Sequence, residues 1–313
     1  MPFFYFCKMK EKISHYLLLL IISIVFIFSA YSKLYPAEPF ELFVFSHGIF
    51  GWFGATIFVR LLIGVEFTIA LLLLLNVYTK RVLQVTVLLL STFTIYLLYV
   101  YFFDKSIHDC NCFGGKLPLT PVQSILKNSF LIIISIYLIL KNKSFSFRYQ
   151  RIAFYTLIVT ALTLPFILSP PDGFLDTTYP TTLKKIDSDT IGDFSFNNKQ
   201  LSFKKGKAIV CFFSMTCPFC QMAANKLTIS IKKHHSQYPI FYIFYGNKRN
   251  LDYFWDKSKS AKFPYKIIDT GLFFSYSGNH LPSIFFIDNE VVKKHTGYRG
   301  LDDKMVYDFF ESK

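Results

Sequence analysis

The stretch Ala208-Ile209-Val210-Cys211-Phe212-Phe213-Ser214-Met215-Thr216-Cys217-Pro218-Phe219-Cys220 decides how the C-terminal part of this chain folds. Its first six residues form a continuous apolar run, which reads as a buried strand. The residues after it, Gln221 to Lys233, read as a helix. A Cys-x-x-Cys pair at a strand-to-helix junction is the arrangement of a thiol–disulfide redox site. The start of a helix presents free backbone N–H groups and a partial positive charge. That field stabilises the thiolate of Cys217 and makes it the attacking sulfur. Two intervening residues let Cys220 reach back and close or resolve a disulfide.

Working outward, Ile191 to Phe196 and Leu201 to Phe203 read as two short strands around an Asn197-Asn198 turn. Ile240 to Tyr245 and Ser283 to Ile287 read as further buried strands, with Val291-Val292 returning in a hairpin. Helices are expected over Leu251 to Ser258 and Leu301 to Phe310. Strands alternating with helices point to an α/β sandwich.

Upstream of Pro170 the composition changes. The whole chain is 52% hydrophobic, and the apolar residues concentrate in this half. Five runs approach the roughly 20 apolar residues that a bilayer requires: Ser14 to Ala30, Trp52 to Leu75, Val82 to Phe103, Pro121 to Leu140 and Ile152 to Leu168. The first is expected to be a retained transmembrane helix rather than a cleaved leader, because bulky Tyr31 follows Ser29-Ala30 with no small-x-small pair. Tyr31 to Gly51 is read as a loop. The positive-inside rule sets the orientation. Lys8, Lys10 and Lys12, then Lys80-Arg81, then Lys141 to Arg151 fall on one side, the cytoplasm. The N-terminus is therefore expected inside. The loop from Asp104 to Thr120 and everything after Ser169 are expected outside, where disulfides persist.

The Asp104 to Thr120 loop carries His108-Asp109-Cys110-Asn111-Cys112-Phe113-Gly114-Gly115. A disulfide between residues two apart forces a tight backbone, which makes it more oxidising than a relaxed one. Exchange with another thiol pair is the favoured reading. A static disulfide and a soft-metal site with His108 are the others. For Cys217 and Cys220, half a zinc site is the competing reading, but the chain has no second Cys-x-x-Cys. Of the remaining cysteines, Cys7 reads as an inert thiol and Cys211 as a small buried hydrophobe.

Two ionisable residues fall in the second span. Arg60 is expected to snorkel towards the boundary. Glu66 lies deeper and is expected to be neutral or paired. A proton relay or quinone contact is one reading of Glu66, and a packing hydrogen bond is the other. The net charge of +14 comes from scattered Lys without an Arg-rich run, so nucleic acid is excluded as a partner and a solvated face or anionic lipid is favoured. His234-His235 reads as a solvated helix C-terminus.

The cysteine motifs carry two family resemblances. The strand–Cys-Pro-Phe-Cys–helix unit, the lead-in from Gly192-Asp193-Phe194 to Gly206-Lys207, and Leu281-Pro282 before a strand together resemble the thioredoxin fold of TlpA-like thiol oxidoreductases. That resemblance implies a cis-proline at Pro282 beside Cys217. Cys211 departs from it, standing where thioredoxins keep a buried acid that assists the second cysteine. The membrane half resembles the DoxX-like, MauE type of membrane protein. The resemblance rests on Phe28-Ser29-Ala30-Tyr31-Ser32-Lys33-Leu34, on Gly64-Val65-Glu66, and on Asp109-Cys110-Asn111-Cys112-Phe113-Gly114. This family is associated with extracytoplasmic disulfide formation.

These readings predict an all-α membrane bundle of four to five transmembrane helices followed by an α/β thioredoxin-like domain. The expected division is a DoxX/MauE-like bundle over 1–150, a fifth helix and linker over 151–182, and a thioredoxin-like domain over 183–313. The expected function is a membrane-bound thiol–disulfide oxidoreductase acting on extracytoplasmic protein thiols. In it Cys217 and Cys220 exchange with Cys110 and Cys112, Pro282 holds the substrate backbone, and a respiratory quinone is a possible further partner. The alternative is a copper-handling or enzyme-maturation factor using the same cysteines as ligands.

Overall fold

The computed structural model describes residues 2–103, 120–141, 148–172, 179, 185–234, 238–278 and 280–311, with backbone alone for 2–12, 100 and 103. It separates into two units. One comprises Met1–Phe43 and Ile57–Pro170, and the other Val44–Thr56 and Pro171–Lys313.

The first unit is built from apolar helices. Helix α1 runs over Pro2–Leu34 and ends at the cis peptide Tyr35-Pro36, since a proline cannot continue the hydrogen-bond ladder. Helix α2, Glu38–Ser46, starts with Glu38 and Glu41 in its first turn, where the helix dipole favours acids. Helix α3 spans Trp52–Leu74 and helix α4 Thr79–Phe103. Asn76 and Tyr78 turn the chain between them with φ of 54° and 46°. Helix α5, Pro121–Leu140, opens with a capping box in which Thr120 and Gln123 satisfy each other's backbone N–H. Helix α6 covers Gln150–Leu168. Five helices are long and apolar enough to cross a membrane: Ile13–Leu34, Trp52–Leu74, Thr79–Tyr99, Pro121–Leu140 and Gln150–Leu168.

The inner faces share one core. Ile22 and Phe26 of α1, Ile69 and Leu73 of α3, Leu83 of α4 and Leu131 of α5 are buried together. The outward faces are equally apolar. Leu88, Ile95, Leu126, Ile133, Ile152 and Ile167 are all more than 60% exposed, a surface that only lipid tolerates. Gly64 marks a close helix approach. A Cβ there would sit 3.0 Å from Leu162 Cα and 3.1 Å from the Ala161 carbonyl of α6.

Two expectations change in this unit, and a third holds. The segment read as a loop from Tyr31 to Gly51 contains α2, and Lys33 lies inside α1. Arg60 does not snorkel. It is 2% exposed, ion-paired with Glu41, and donates from Nε to the Ser169 carbonyl at 2.9 Å. A guanidinium with an internal carboxylate and carbonyl to hand has no need of water. Glu66 is paired, as expected, and its partner is Lys33.

The second unit holds a five-stranded sheet in the order β5-β4-β3-β6-β7. Its strands are β3 (Lys207–Ser214), β4 (Ile240–Tyr245), β5 (Tyr265–Ile267), β6 (Ser283–Asp288) and β7 (Val291–Thr296). A separate hairpin pairs β1, Phe194–Phe196, with β2, Lys199–Leu201, around Asn197 and Asn198, both at positive φ. A single helical turn, α7 (Ser188–Ile191), precedes it where the sequence reading began a strand. Strand β3 is central, parallel to β4 and antiparallel to β6. Helix α8, Pro218–His234, makes the crossover from β3 to β4. Helices α9 (Leu251–Ser258), α10 (Thr270–Ser277) and α11 (Asp303–Glu311) complete the unit. One sheet face buries Val210, Phe212, Ile243 and Phe285 against Phe273 of α10. Residues of opposite parity face the other layer: Phe213 meets Tyr242 at 4.9 Å and Phe254 of α9 at 6.0 Å between ring centres. This sheet, with a parallel β3–α8–β4 crossover and an antiparallel β6–β7 hairpin, is a thioredoxin-like fold. Strand β5 and helix α10 were not anticipated from the sequence. His234 is not merely solvated, because it stacks on Tyr307 at 4.7 Å.

Candidate functional site

Strand β3 delivers the chain to the site. Its last residue, Ser214, accepts a hydrogen bond from the Cys217 backbone N–H at 3.2 Å, which folds Met215 and Thr216 into a tight turn. Cys217 then caps α8. Its carbonyl accepts from Gln221 N–H at 3.1 Å, and its Sγ accepts from the Cys220 backbone N–H at 3.4 Å. Pro218 occupies the first helical position, where no N–H is needed. Gln221 Nε2 donates to the Met215 carbonyl at 3.0 Å and fixes the turn from behind.

The two sulfurs have opposite environments. Cys217 is half-buried, with Thr216, Pro218 and Phe219 exposed around it. The Cys220 thiol donates to its sulfur, and the Cys220 and Phe219 backbone N–H groups add to that. Together they hold the Cys217 pKa down at about 6 against the opposing effect of burial. Cys220 is buried, and burial, with the neighbouring Cys217 sulfur, pushes its thiol well above the ordinary range. One cysteine is thus a ready thiolate at neutral pH and the other a protonated reserve. Cys211, on β3, is fully buried and its thiol is likewise held protonated by burial.

The Leu281-Pro282 bond is cis, as the resemblance implied. Ser283 pairs opposite Phe212, so Pro282 enters β6 beside the end of β3 that leads to Cys217. Ser283 Oγ lies 2.7 Å from the His280 carbonyl and 3.0 Å from the Ser277 carbonyl, and 3.2 Å from His295 Nε2. His295 stacks on Phe285 at 4.1 Å, and burial together with His280 lowers its pKa to about 4. Tyr179 stacks on His280 at 4.8 Å and meets His295 edge-on at 5.2 Å. Beyond the cysteines, Tyr298 touches Phe219 at 5.8 Å and accepts, through its carbonyl, from the buried Lys226 ammonium at 3.1 Å. Nothing in the sequence marks His295 or Tyr179, and Ser283 is marked only by following Pro282.

The expected partners Cys110 and Cys112, with His108, lie outside the described residues. Among the described residues, no group of three or more His, Cys, Asp or Glu side chains is placed to hold a metal ion.

Comparison with known proteins assigns the membrane half. Residues 10–141 match the family model for methylamine utilisation protein MauE. The MauE-type segment covers α1 to α5, and with its five apolar helices the chain is an integral membrane protein. Over nearly its whole length the chain is similar to Protein TlpB of Flavobacterium psychrophilum, with 28% identity covering 95% of this chain and 94% of that one. Solved structures similar to the thioredoxin-like unit include StoA from Bacillus subtilis, at 17% identity and a TM-score of 0.32, covering 43% of this chain and 99% of that one. Another is the thioredoxin domain of a thiol-disulfide oxidoreductase from Bacteroides vulgatus, at 17% identity and a TM-score of 0.31, covering 44% of this chain and 99% of that one. The MauE-type match thus lies in the same chain as the thioredoxin-like fold described above, as the two sequence resemblances implied.

Proposed function

We propose that this protein is a membrane-bound thiol–disulfide oxidoreductase acting on extracytoplasmic protein cysteines. The observation that carries the reading is the pairing of a half-exposed thiolate, Cys217, with a buried thiol, Cys220, across one turn of α8. In this reading Cys217 attacks a substrate disulfide and forms a mixed disulfide, releasing one substrate thiol. Cys220 then loses its proton, attacks Cys217 Sγ and releases the second thiol. The reverse sequence oxidises a substrate dithiol. Pro282 lines the site and orients the substrate backbone. The Cys110/Cys112 pair of the MauE-type segment is the proposed redox partner of Cys217/Cys220. Alternation of the five spans supports that reading by giving both pairs the same side of the membrane, with the N-terminus in the cytoplasm. On the proposed division, residues 1–150 form the redox-associated bundle, 151–182 the fifth helix and linker, and 183–313 the exchanging domain.

Trapping tests this. In the Cys220→Ala variant, Cys217 has no resolving thiol and accumulates mixed disulfides. Mass spectrometry of cross-linked peptides is expected to find Cys217 joined to Cys110 or Cys112 and to extracytoplasmic proteins. Peptides linking Cys217 only to other proteins would remove the internal relay. No mixed disulfide at all would remove the enzymatic reading.

A further inference from the structure

We propose that the membrane bundle contains a binding site for a lipid-soluble quinone, in a cleft whose polar end is formed by Lys33 of α1, Glu66 of α3, and Lys127 and Asn128 of α5. The cleft holds about 470 Å³ of space counted out to its open side. The outer walls are apolar: Leu62, Leu89 and Phe93 are half-buried and reach the lipid-facing surface of the bundle.

The polar end is built and incompletely satisfied. Lys33 Nζ pairs with Glu66 Oε1, and Ser29 Oγ holds both, accepting from Lys33 at 2.9 Å and donating to Glu66 at 3.2 Å. The second carboxylate oxygen, Oε2, has no hydrogen-bond partner among the described residues. Asn128 is 1% exposed, lines the cleft, and neither its Nδ2 nor its Oδ1 has a partner among the described residues. Buried amides without partners are rare because the desolvated donor and acceptor are costly. A guest that bonds both atoms removes that cost.

The chemistry of the cleft selects the guest. Two ammonium groups and one carboxylate leave the cluster net positive, which favours an electron-rich oxygen. An amide offers one donor and one acceptor. A quinone carbonyl accepts from Asn128 Nδ2, and the quinol hydroxyl donates to Asn128 Oδ1 or Glu66 Oε2, so both redox states are bound. The flat ring lies against Phe93 and the leucines, and an isoprenoid tail leaves through the mouth into lipid. Electron flow to this site rests on the thiol–disulfide reading above. Each dithiol that closes breaks two S–H bonds, forms one S–S bond and releases two electrons and two protons. The quinone takes both and becomes the quinol, so nothing else is consumed.

The test is direct binding of decylubiquinone to the full-length protein in detergent, by isothermal titration calorimetry. Saturable binding is expected. Asn128→Leu, close in shape and free of the orphaned amide, is expected to weaken it roughly tenfold or more while the helical melting temperature stays level or rises. Leu62→Phe, which narrows the mouth from its half-exposed wall, is the second variant and is also expected to weaken binding. A Cys217→Ser/Cys220→Ser protein is expected to bind like the parent, so failure of the thiol reading is separable from failure of the site. No saturable binding by the parent, or equal binding by both Asn128→Leu and Leu62→Phe, overturns the proposal. So does saturable binding of dihexanoyl-phosphatidylglycerol, sensitive to Asn128→Leu, in the absence of decylubiquinone binding, since the cleft is then a lipid-headgroup pocket.

Discussion

At the level of single residues, Cys217 and His295 both have lowered pKa values, so both make the fold lose stability as pH falls, in different windows. The Cys217 thiol titrates near pH 6 chiefly because the Cys220 thiol donates to its sulfur. Iodoacetamide alkylation of the reduced protein should therefore show a midpoint near pH 6. In Cys220→Ala the midpoint should move up towards the ordinary thiol range, because only the backbone N–H groups remain. An unmoved midpoint would show that the helix end alone sets the value. The lowered Cys217 pKa stabilises the folded, reduced state; the gain is full above the ordinary thiol value of 9.0 and is lost as pH falls from there through about 6. His295 has a folded pKa of about 4 against an ordinary 6.5. The unfolded chain therefore takes up the proton first, and stability present above pH 6.5 is lost as pH falls towards 4. Both tryptophans, Trp52 and Trp255, belong to the second unit, so their fluorescence reports its melting. His295→Gln should flatten the decline in melting temperature between pH 6.5 and 4. The chemistry of Cys217 and Cys220 was legible because helix capping needs only adjacent residues. His295 was not, because its surroundings come from β6, the loop before it and Tyr179.

Between elements, the bundle is fixed by a buried ion pair and a close helix approach. Lys33→Met leaves the Glu66 carboxylate without its cation and should cost about 3–5 kcal/mol. Lys33→Met with Glu66→Gln should recover most of that loss, read from helical circular dichroism during thermal melting in detergent. A double variant no better than the single one would show that the pair is not what holds α1 to α3. Gly64→Val places a Cβ against the α6 backbone, which cannot yield, and should cost about 1–3 kcal/mol by the same measurement. The strands and spans were readable because each is a run of one hydrophobic period. Strand β5 has only three residues and α10 carries Gly271 beside aromatics, so neither offered a period to read. Helix α2 was hidden because its nine residues sit between a proline and glycines in a segment that looks like a loop.

For the whole molecule, the central expectation is electrical continuity between its two cysteine pairs. Cys110→Ser with Cys112→Ser should shift the cellular redox state of Cys217/Cys220, scored by alkylation and gel mobility. An unchanged redox state would reduce the MauE-type segment to an anchor. The sequence by itself determined that five helices are long and apolar enough to cross a membrane, that a thioredoxin-like unit follows, and that Cys217 opens a helix, the position from which it is proposed to act as the nucleophile. These depend on hydrophobic period, length and neighbouring residues, all of which are local. Only the tertiary structure decided that Lys33 pairs with Glu66, that Arg60 turns inward to Glu41, and that Asn128 lines a cleft without hydrogen-bond partners among the described residues. A buried charge or amide takes its energy from whatever stands opposite it. What stands opposite is set by the rotation and register of helices far apart in the chain, which no local pattern encodes.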